Sequence, residues 1–143
     1  LEKEGICYEE VCFAEEPGGK PKLLQKDLFF NLAHAQDLAV CVISDQEVGV
    51  DVERKDRLEG RKQNRKLQVA KKILTPEELI SVWTKKESYV KMTGKGLTVN
   101  LTTIDTLSNA FYQQIVVEDT YMISVCTALE DERAQACNLS ECL

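Results

Sequence analysis

Asp51 and Glu53 are the residue pair with the clearest potential for chemistry, and they lie in residues 48–53 (VGVDVE). Successive side chains of an extended strand point to opposite faces, so the two carboxylates share one face and the valines share the other. Mg²⁺ suits such a pair, because it binds proteins through one or two carboxylates and takes further oxygens from substrate phosphates. Gly49, on the acidic face, leaves room for a large group. An amphipathic strand with a solvated acidic face explains the same hexapeptide and is the commoner case.

A second set of candidate groups lies on a predicted helix that continues to about residue 92. Trp83, Glu87 and Lys91 recur every four residues, so one stripe of this helix carries an indole, a carboxylate and an ammonium, with Lys86 beside it. A favourable i, i+4 ion pair between Glu87 and Lys91 is the alternative explanation, and it requires no functional site.

Two further residues could contact an anion. Gly19-Lys20-Pro21 would hold a lysine on a stiff turn, since glycine and proline break regular structure there. The apolar run over residues 28–35 contains the single histidine of the chain, His34. A solvated loop lysine and a structural histidine are the commoner explanations of these two patterns.

Composition limits the classes of protein that this chain can belong to. The 143 residues fit one domain, and 43% hydrophobic residues are enough to form a core. A formal net charge of -6 argues against nonspecific binding to nucleic acid or to an anionic membrane. No signal peptide or membrane-length apolar run is visible, so we expect a cytoplasmic protein that does not bind a membrane.

Cysteine usage is consistent with a reducing compartment. The chain has six cysteines, none of them in a Cys-x-x-Cys pair, and a single histidine. We therefore expect neither a disulfide framework nor a zinc site. Cys41 and Cys126 lie in apolar, strand-like runs, where cysteine usually behaves as a small buried hydrophobic residue.

Residues 54–72 form a basic segment in this acidic chain. Leu67, Ala70 and Ile73 have helical spacing and predict a helix over residues 61–73. Such a segment is usually a solvated helix face, and the alternative is a docking surface for an acidic partner. It lacks interleaved aromatic residues, so we expect no binding to nucleic acid.

Strands and one capped helix are predicted to hold the candidate groups in place. Residues 38–43 and 48–53, joined by a turn at 44–47, should form a hairpin that brings the neighbourhood of His34 close to Asp51 and Glu53. Thr75 should be the N-cap of the next helix, with Glu78 closing a capping box and glycines 94 and 96 ending the helix. Alternating apolar residues predict further strands at residues 97–101, 115–117 and 121–125, and a short one at 11–13.

The predicted fold class is α+β. An antiparallel sheet that includes the hairpin of residues 38–53 should pack against the helices that contain Lys66 and Glu87. The predicted core consists of Val40, Val42, Val50, Val52, Ile73, Val90, Leu101, Ile123 and Val125.

Five segments, in this order, together resemble the 4'-phosphopantetheinyl transferases of the surfactin-synthetase-activating (Sfp) type. The resemblance covers roughly residues 10–128, and each segment alone is a modest signal. The segments are 19–21 (GKP), 30–34 (FNLAH), 48–53 (VGVDVE), 83–91 (WTKKESYVK) and 94–97 (GKGL).

The resemblance implies an enzyme that transfers the phosphopantetheine arm of coenzyme A to a serine of an apo acyl or peptidyl carrier protein and releases adenosine 3',5'-bisphosphate. It implies Mg²⁺ as the metal and a role in fatty-acid, polyketide or nonribosomal-peptide biosynthesis. The alternative is a truncated, non-catalytic homologue that binds a carrier protein or coenzyme A. The residues that match the family's metal ligands are Asp51, Glu53 and Glu87, those that match its catalytic groups are Glu87 and Lys91, and those that match its coenzyme contacts are Lys20, His34, Lys86 and Lys91.

The resemblance also implies a division of the chain. Full-length members have two pseudo-symmetric halves and are expected to be monomers, so we expect one fold unit, mainly the second half. Residues 1–36 would then be the end of the first half and a linker, and residues 37–143 the catalytic second half. The interval from Glu78 to Trp83 is short for the family, and we interpret it as the absence of a segment near residues 79–82.

Overall fold

A computed structural model of the chain describes residues 12–24, 27–58, 75–96, 99–105 and 110–130. Seven strands and one long helix occupy these ranges, with short 3-10 turns at Lys55–Leu58 and Leu101–Thr103. No helix within these ranges combines the length and the apolar character needed to cross a membrane. The elements in chain order are β1 (Phe13–Glu15), β2 (Pro21–Leu23), β3 (Phe29–Ala35), β4 (Leu38–Ser44), β5 (Val48–Arg54), α1 (Pro76–Thr93), β6 (Phe111–Val117) and β7 (Tyr121–Thr127).

The strands form three antiparallel groups. Strand β1 pairs with β2, β3 pairs with β4, and a three-stranded sheet has the order β5-β7-β6. The turn between β6 and β7 places Glu118 and Asp119 at positive φ (52° and 49°), as expected for the tight turns that match strand twist. The predicted α+β class with antiparallel strands is confirmed.

The predicted hairpin over residues 38–53 is wrong, because β4 pairs with β3 and β5 pairs with β7. Gln36 has a positive φ of 49°, which allows a two-residue turn to return the chain directly from Ala35 to Leu38. Strand β3 nevertheless lies beside β5, since the Asn31 side chain accepts a hydrogen bond of 2.9 Å from the Val50 N–H. The predicted proximity of β3 to β5 is therefore correct, although its cause is different.

The core forms around the valine face of β5. Val50 and Val52 pack with Ala33 and Ala35 of β3 and with Tyr121 and Ile123 of β7. Of the predicted core, Val50, Val52, Val90 and Ile123 are buried, Val40, Val42 and Val125 pack against the cluster from half-buried positions, and Leu101 is half-buried.

Helix α1 begins and ends where the sequence predicts. The Thr75 hydroxyl accepts a hydrogen bond from the Glu78 N–H, the Glu78 carboxylate accepts one from the Thr75 N–H, and Gly94 ends the helix in the left-handed region at φ 65°. Residues 79–82 lie inside this continuous helix.

Two further local predictions, for Leu101 and Cys41, are wrong, and a third lies outside the described residues. Leu101 begins a 3-10 turn instead of ending a strand, because the Asn100 side chain accepts a hydrogen bond from the Thr102 N–H and so favours a turn. Cys126 is buried as predicted, but Cys41 is exposed on the outer face of β4. The predicted helix over residues 61–73, with Lys66 and Ile73, lies outside the described residues.

Candidate active site

The close approach of α1 to β5 places Asp51 beneath the helix. Gly49 faces the helix, and a Cβ at this position would overlap the Ser88 carbonyl oxygen and the Met92 backbone nitrogen. The room that Gly49 was predicted to leave for a large group is occupied by the backbone of α1. Since side chains alternate along β5, Asp51 lies on the same helix-facing side.

Asp51 forms an ion pair with Lys91 of α1. The Lys91 ammonium donates a hydrogen bond of 2.9 Å to Asp51 Oδ1, and the two side chains are 32% and 12% exposed. The other carboxylate oxygen, Oδ2, is buried and has no hydrogen-bond partner among the residues that the structure describes. Burial raises the pKa of Asp51 to about 6, the Lys91 ammonium offsets part of that rise, and the charges of Glu87 and Glu53 add to it.

A hard cation fits the donor chemistry at this position. Asp51 Oδ2 is a buried oxygen to which no described residue donates a hydrogen bond, and carboxylate oxygens are the ligands that Mg²⁺ prefers. Glu53 and Glu87 are near enough for their charges to raise the pKa of Asp51. In the part of the chain that the structure describes, no three acidic, histidine or cysteine side chains form a closed metal cluster. The ligand set Asp51, Glu53 and Glu87 therefore stays a prediction.

A groove of about 310 Å³ runs between the loop before β2 and the C-terminal part of α1. Glu87 and Lys91 line it from the helix, and Lys20 lines it from the loop. The loop lies directly on the end of the helix, since a Cβ at Gly18 would overlap the Gly94 carbonyl oxygen. Two regions that are far apart in the sequence thus share this groove.

The Lys20 ammonium contacts protein atoms. It donates a hydrogen bond of 2.9 Å to the Met92 carbonyl oxygen and one of 2.6 Å to Glu47 Oε2. Its side chain is 8% exposed, while that of Glu47 is 45% exposed. A lysine at this position satisfies one of the carbonyls that a helix end leaves without an intrahelical partner.

Lys86 and His34 do not line the groove that the described residues form. Lys86 is buried, and its ammonium donates a hydrogen bond of 2.8 Å to the Leu101 carbonyl oxygen. His34 is exposed on β3, on the face opposite to Ala33 and Ala35. The structure thus brings Lys20, Glu87 and Lys91 together, with Asp51 behind Lys91.

Asn31, which lines the groove, and Glu47, which pairs with a lining residue, have roles that the sequence interpretation did not assign. Asn31 lines the groove and accepts a hydrogen bond from the Val50 N–H of β5. It is the one amide side chain in the apolar run of β3, and this pattern could have identified it as a residue with a specific polar contact. Glu47 pairs with Lys20 across 27 positions of sequence, and no local pattern could have identified it.

The sequence profile of the 4'-phosphopantetheinyl transferase superfamily matches residues 47–138. The chain belongs to this superfamily. The matched range contains Asp51, Glu53, Glu87 and Lys91, and the resemblance found from the five segments is confirmed.

Curated phosphopantetheinyl transferases are similar to this chain at low identity. The 4'-phosphopantetheinyl transferase gsp of Aneurinibacillus migulanus is 30% identical over 107 residues, which are 64% of this chain and 42% of that protein. The 4'-phosphopantetheinyl transferase psf-1 of Bacillus pumilus is 29% identical over 116 residues, which are 70% of this chain and 47% of that protein. The 4'-phosphopantetheinyl transferase Sfp of Bacillus subtilis (strain 168) is 23% identical over 153 residues, which are 85% of this chain and 65% of that protein. The chain therefore spans about half the length of the first two of these relatives.

Proposed function

We propose that this superfamily member transfers the 4'-phosphopantetheine arm of coenzyme A to a serine hydroxyl of an apo acyl or peptidyl carrier protein, in a Mg²⁺-dependent reaction. The observation that carries the proposal is the groove between the loop before β2, which contains Lys20, and the C-terminal part of α1. Glu87 and Lys91 line this groove, and both belong to the residues that match the superfamily profile. Asp51, which also belongs to them, accepts a hydrogen bond from Lys91. Its volume of about 310 Å³ lies at the lower end of the range of about 300–1,000 Å³ that is usual for small-molecule sites.

In the proposed reaction, a bond forms between the serine oxygen and the β-phosphorus of coenzyme A, and the bond from that phosphorus to the bridging oxygen breaks. Adenosine 3',5'-bisphosphate leaves with the bridging oxygen, and the serine proton passes to a base. Glu87 is our candidate for that base, because it is an acidic residue that lines the groove and general bases act within hydrogen-bond reach of the proton. Phosphoryl transfer depends mainly on positioning and on stabilisation of charge.

Lys91 is our candidate for the contact to the phosphates. Lys91 lines the groove and carries its ammonium on a flexible stem, and such a point charge suits one phosphate oxygen. Asp51, Glu53 and Glu87 would hold Mg²⁺, which when bound neutralises charge on the pyrophosphate oxygens. The Gly-Lys-Pro loop supplies the opposite wall, where we propose that the adenosine end of coenzyme A lies, with His34 further along β3.

The partner in this proposal is a carrier protein with an acidic surface. The support is the basic composition of residues 54–72, which begins where β5 ends. Opposite charges on two partners accelerate their encounter and select the correct pair.

A transfer assay tests the proposed function. The protein, coenzyme A and Mg²⁺ are incubated with an apo acyl carrier protein or an apo peptidyl carrier domain, and the carrier is weighed by mass spectrometry. Wild type and a Glu77→Gln control on the same helix should add the phosphopantetheine mass, while Glu87→Gln and omission of Mg²⁺ should reduce the rate by about 10²-fold or more. If wild type modifies neither carrier, the transferase proposal is wrong. Binding of coenzyme A in that case would favour a non-catalytic binding homologue.

A further inference from the structure

We propose that the Lys91 ammonium acts as a built-in substitute for the metal ion at Asp51 when coenzyme is absent, and moves to a phosphate when metal and coenzyme enter together. The proposal rests on the proposed function and adds to it a coupling between the two ligands. Mg²⁺ alone should bind weakly, and coenzyme should increase its affinity.

The first observation is the imbalance at Asp51. Asp51 as a whole residue is 8% exposed, and Lys91 donates to Oδ1 at 2.9 Å. Oδ2 is buried and has no hydrogen-bond partner within the described part of the chain. A buried carboxylate needs a compensating charge and hydrogen bonds to both oxygens, because it has lost its hydration. One ammonium supplies the charge and only part of the coordination. A divalent cation would supply both, so Lys91 and a metal compete for the same carboxylate.

The second observation is that the Lys91 side chain is partly exposed at the groove, whereas the helix that carries it is packed against β5. The Lys91 side chain is 32% exposed and lines the groove, so its ammonium can reach groove ligands by rotation of a flexible stem. The helix beneath it is fixed on β5, because Gly49 brings the two backbones into direct contact. Lys20 differs from Lys91 in this respect, since its ammonium is held by a helix carbonyl and by Glu47 in an 8% exposed position.

The consequence is a thermodynamic coupling between metal and coenzyme. A metal ion that arrives alone must bind beside a like-charged ammonium, or must displace it into solvent, and either event lowers the apparent affinity. Coenzyme phosphates give the displaced ammonium a new partner. The coenzyme therefore raises the affinity for Mg²⁺, and Mg²⁺ raises the affinity for coenzyme by the same factor.

The test compares metal affinity in the absence of coenzyme. Isothermal titration calorimetry with Mg²⁺ and electron paramagnetic resonance with Mn²⁺ are applied to wild type, Lys91→Met, Lys91→Arg and Lys85→Met. Lys91→Met should bind either ion at least about fivefold more tightly than wild type, since coupling factors of this order are typical. Lys91→Arg keeps the charge and Lys85→Met removes a charge elsewhere on α1, so both should retain the wild-type affinity.

The opposite change is expected for coenzyme. In the presence of Mg²⁺, Lys91→Met should bind coenzyme A more weakly than wild type. Addition of Mg²⁺ should therefore increase the coenzyme affinity of this variant by a smaller factor than that of wild type. Equal or weaker metal binding by Lys91→Met overturns the inference, and circular dichroism confirms that the variant is folded. If Lys91→Met gives that result and wild type shows transferase activity, the inference fails and the proposed function stands. If Asp51→Asn binds Mg²⁺ as tightly as wild type, the metal is not at Asp51, and the Mg²⁺ site of the proposed function fails with the inference.

Discussion

Replacement of Lys20 by methionine should destabilise the fold, because Lys20 connects three separate elements. Its ammonium joins the loop before β2 to the last turn of α1 at the Met92 carbonyl oxygen and to the turn after β4 at Glu47. Methionine keeps most of the apolar stem and removes only the charged donor. The Lys20→Met change therefore isolates the ammonium contacts from the packing of the chain around them.

The magnitude follows from the burial of the two acceptors. The contact to Met92 is buried, and a hydrogen bond from a charged donor contributes about 1.5–3 kcal/mol, with the abandoned carbonyl left without a partner. Glu47 is 45% exposed, so loss of its ion pair should cost at most about 1 kcal/mol and mostly less. We expect a total loss of about 2 kcal/mol in the free energy of unfolding. For a domain of this size, that loss corresponds to a Tm lower by roughly 6–10 °C.

Urea and thermal unfolding measure this loss, with circular dichroism and the fluorescence of the single tryptophan, Trp83, as signals. Lys22→Met is the matched control, because Lys22 is an exposed lysine on the adjacent strand β2 and its loss should change stability by less than about 0.5 kcal/mol. Glu47→Gln should fall between the two. A Lys20→Met protein as stable as the control would refute the reasoning. If that protein also bound coenzyme A weakly, Lys20 would be a ligand of the coenzyme alone.

Two other predictions concern the packing around β5. Gly49→Ala should destabilise the fold by about 2 kcal/mol or more in urea unfolding, because its Cβ would overlap the Ser88 carbonyl and push α1 away from β5. The control Ala39→Ser, at an exposed position, should leave the stability unchanged. If Gly49→Ala were as stable as wild type, the two backbones would not be in contact. Burial raises the pKa of the Cys126 thiol to about 12, so iodoacetamide at pH 8 should alkylate exposed Cys12 much faster than Cys126 in the folded protein, with peptide mass spectrometry as the readout. Equal alkylation rates in the folded state would contradict the burial of Cys126, and denaturation should abolish the difference.

The features that the sequence predicted correctly are those with a local cause. The alternation in residues 48–53 predicted strand β5 and its two faces, because side chains alternate along any extended strand. Thr75 and Glu78 predicted the first turn of α1, and Gly94 predicted its end, because capping needs only neighbouring backbone groups. The order of five short segments was enough to identify the superfamily, which the profile match confirms.

The errors at β4 and Cys41 originate in contacts between distant parts of the chain, whereas the error at Leu101 has a local cause in the Asn100 side chain. Strand β4 had two possible neighbours, and the turn at Gln36 together with the pairing of β5 to β7 decided between them. Periodicity could not show that Cys41 points outward, since burial of one face of β4 depends on which elements cover it.

The candidate site divides in the same way. The sequence by itself determined which residue types could bind phosphate and metal, and it placed Asp51 on an acidic strand face and Lys91 on a helix stripe. Only the tertiary structure decided that Lys91 pairs with Asp51 across 40 positions and that the Lys20 ammonium binds Met92 across 72 positions. The physical reason is that the energy of a contact between charged groups depends on their burial and on the distance between them. Both quantities are fixed only when the helix packs against the sheet.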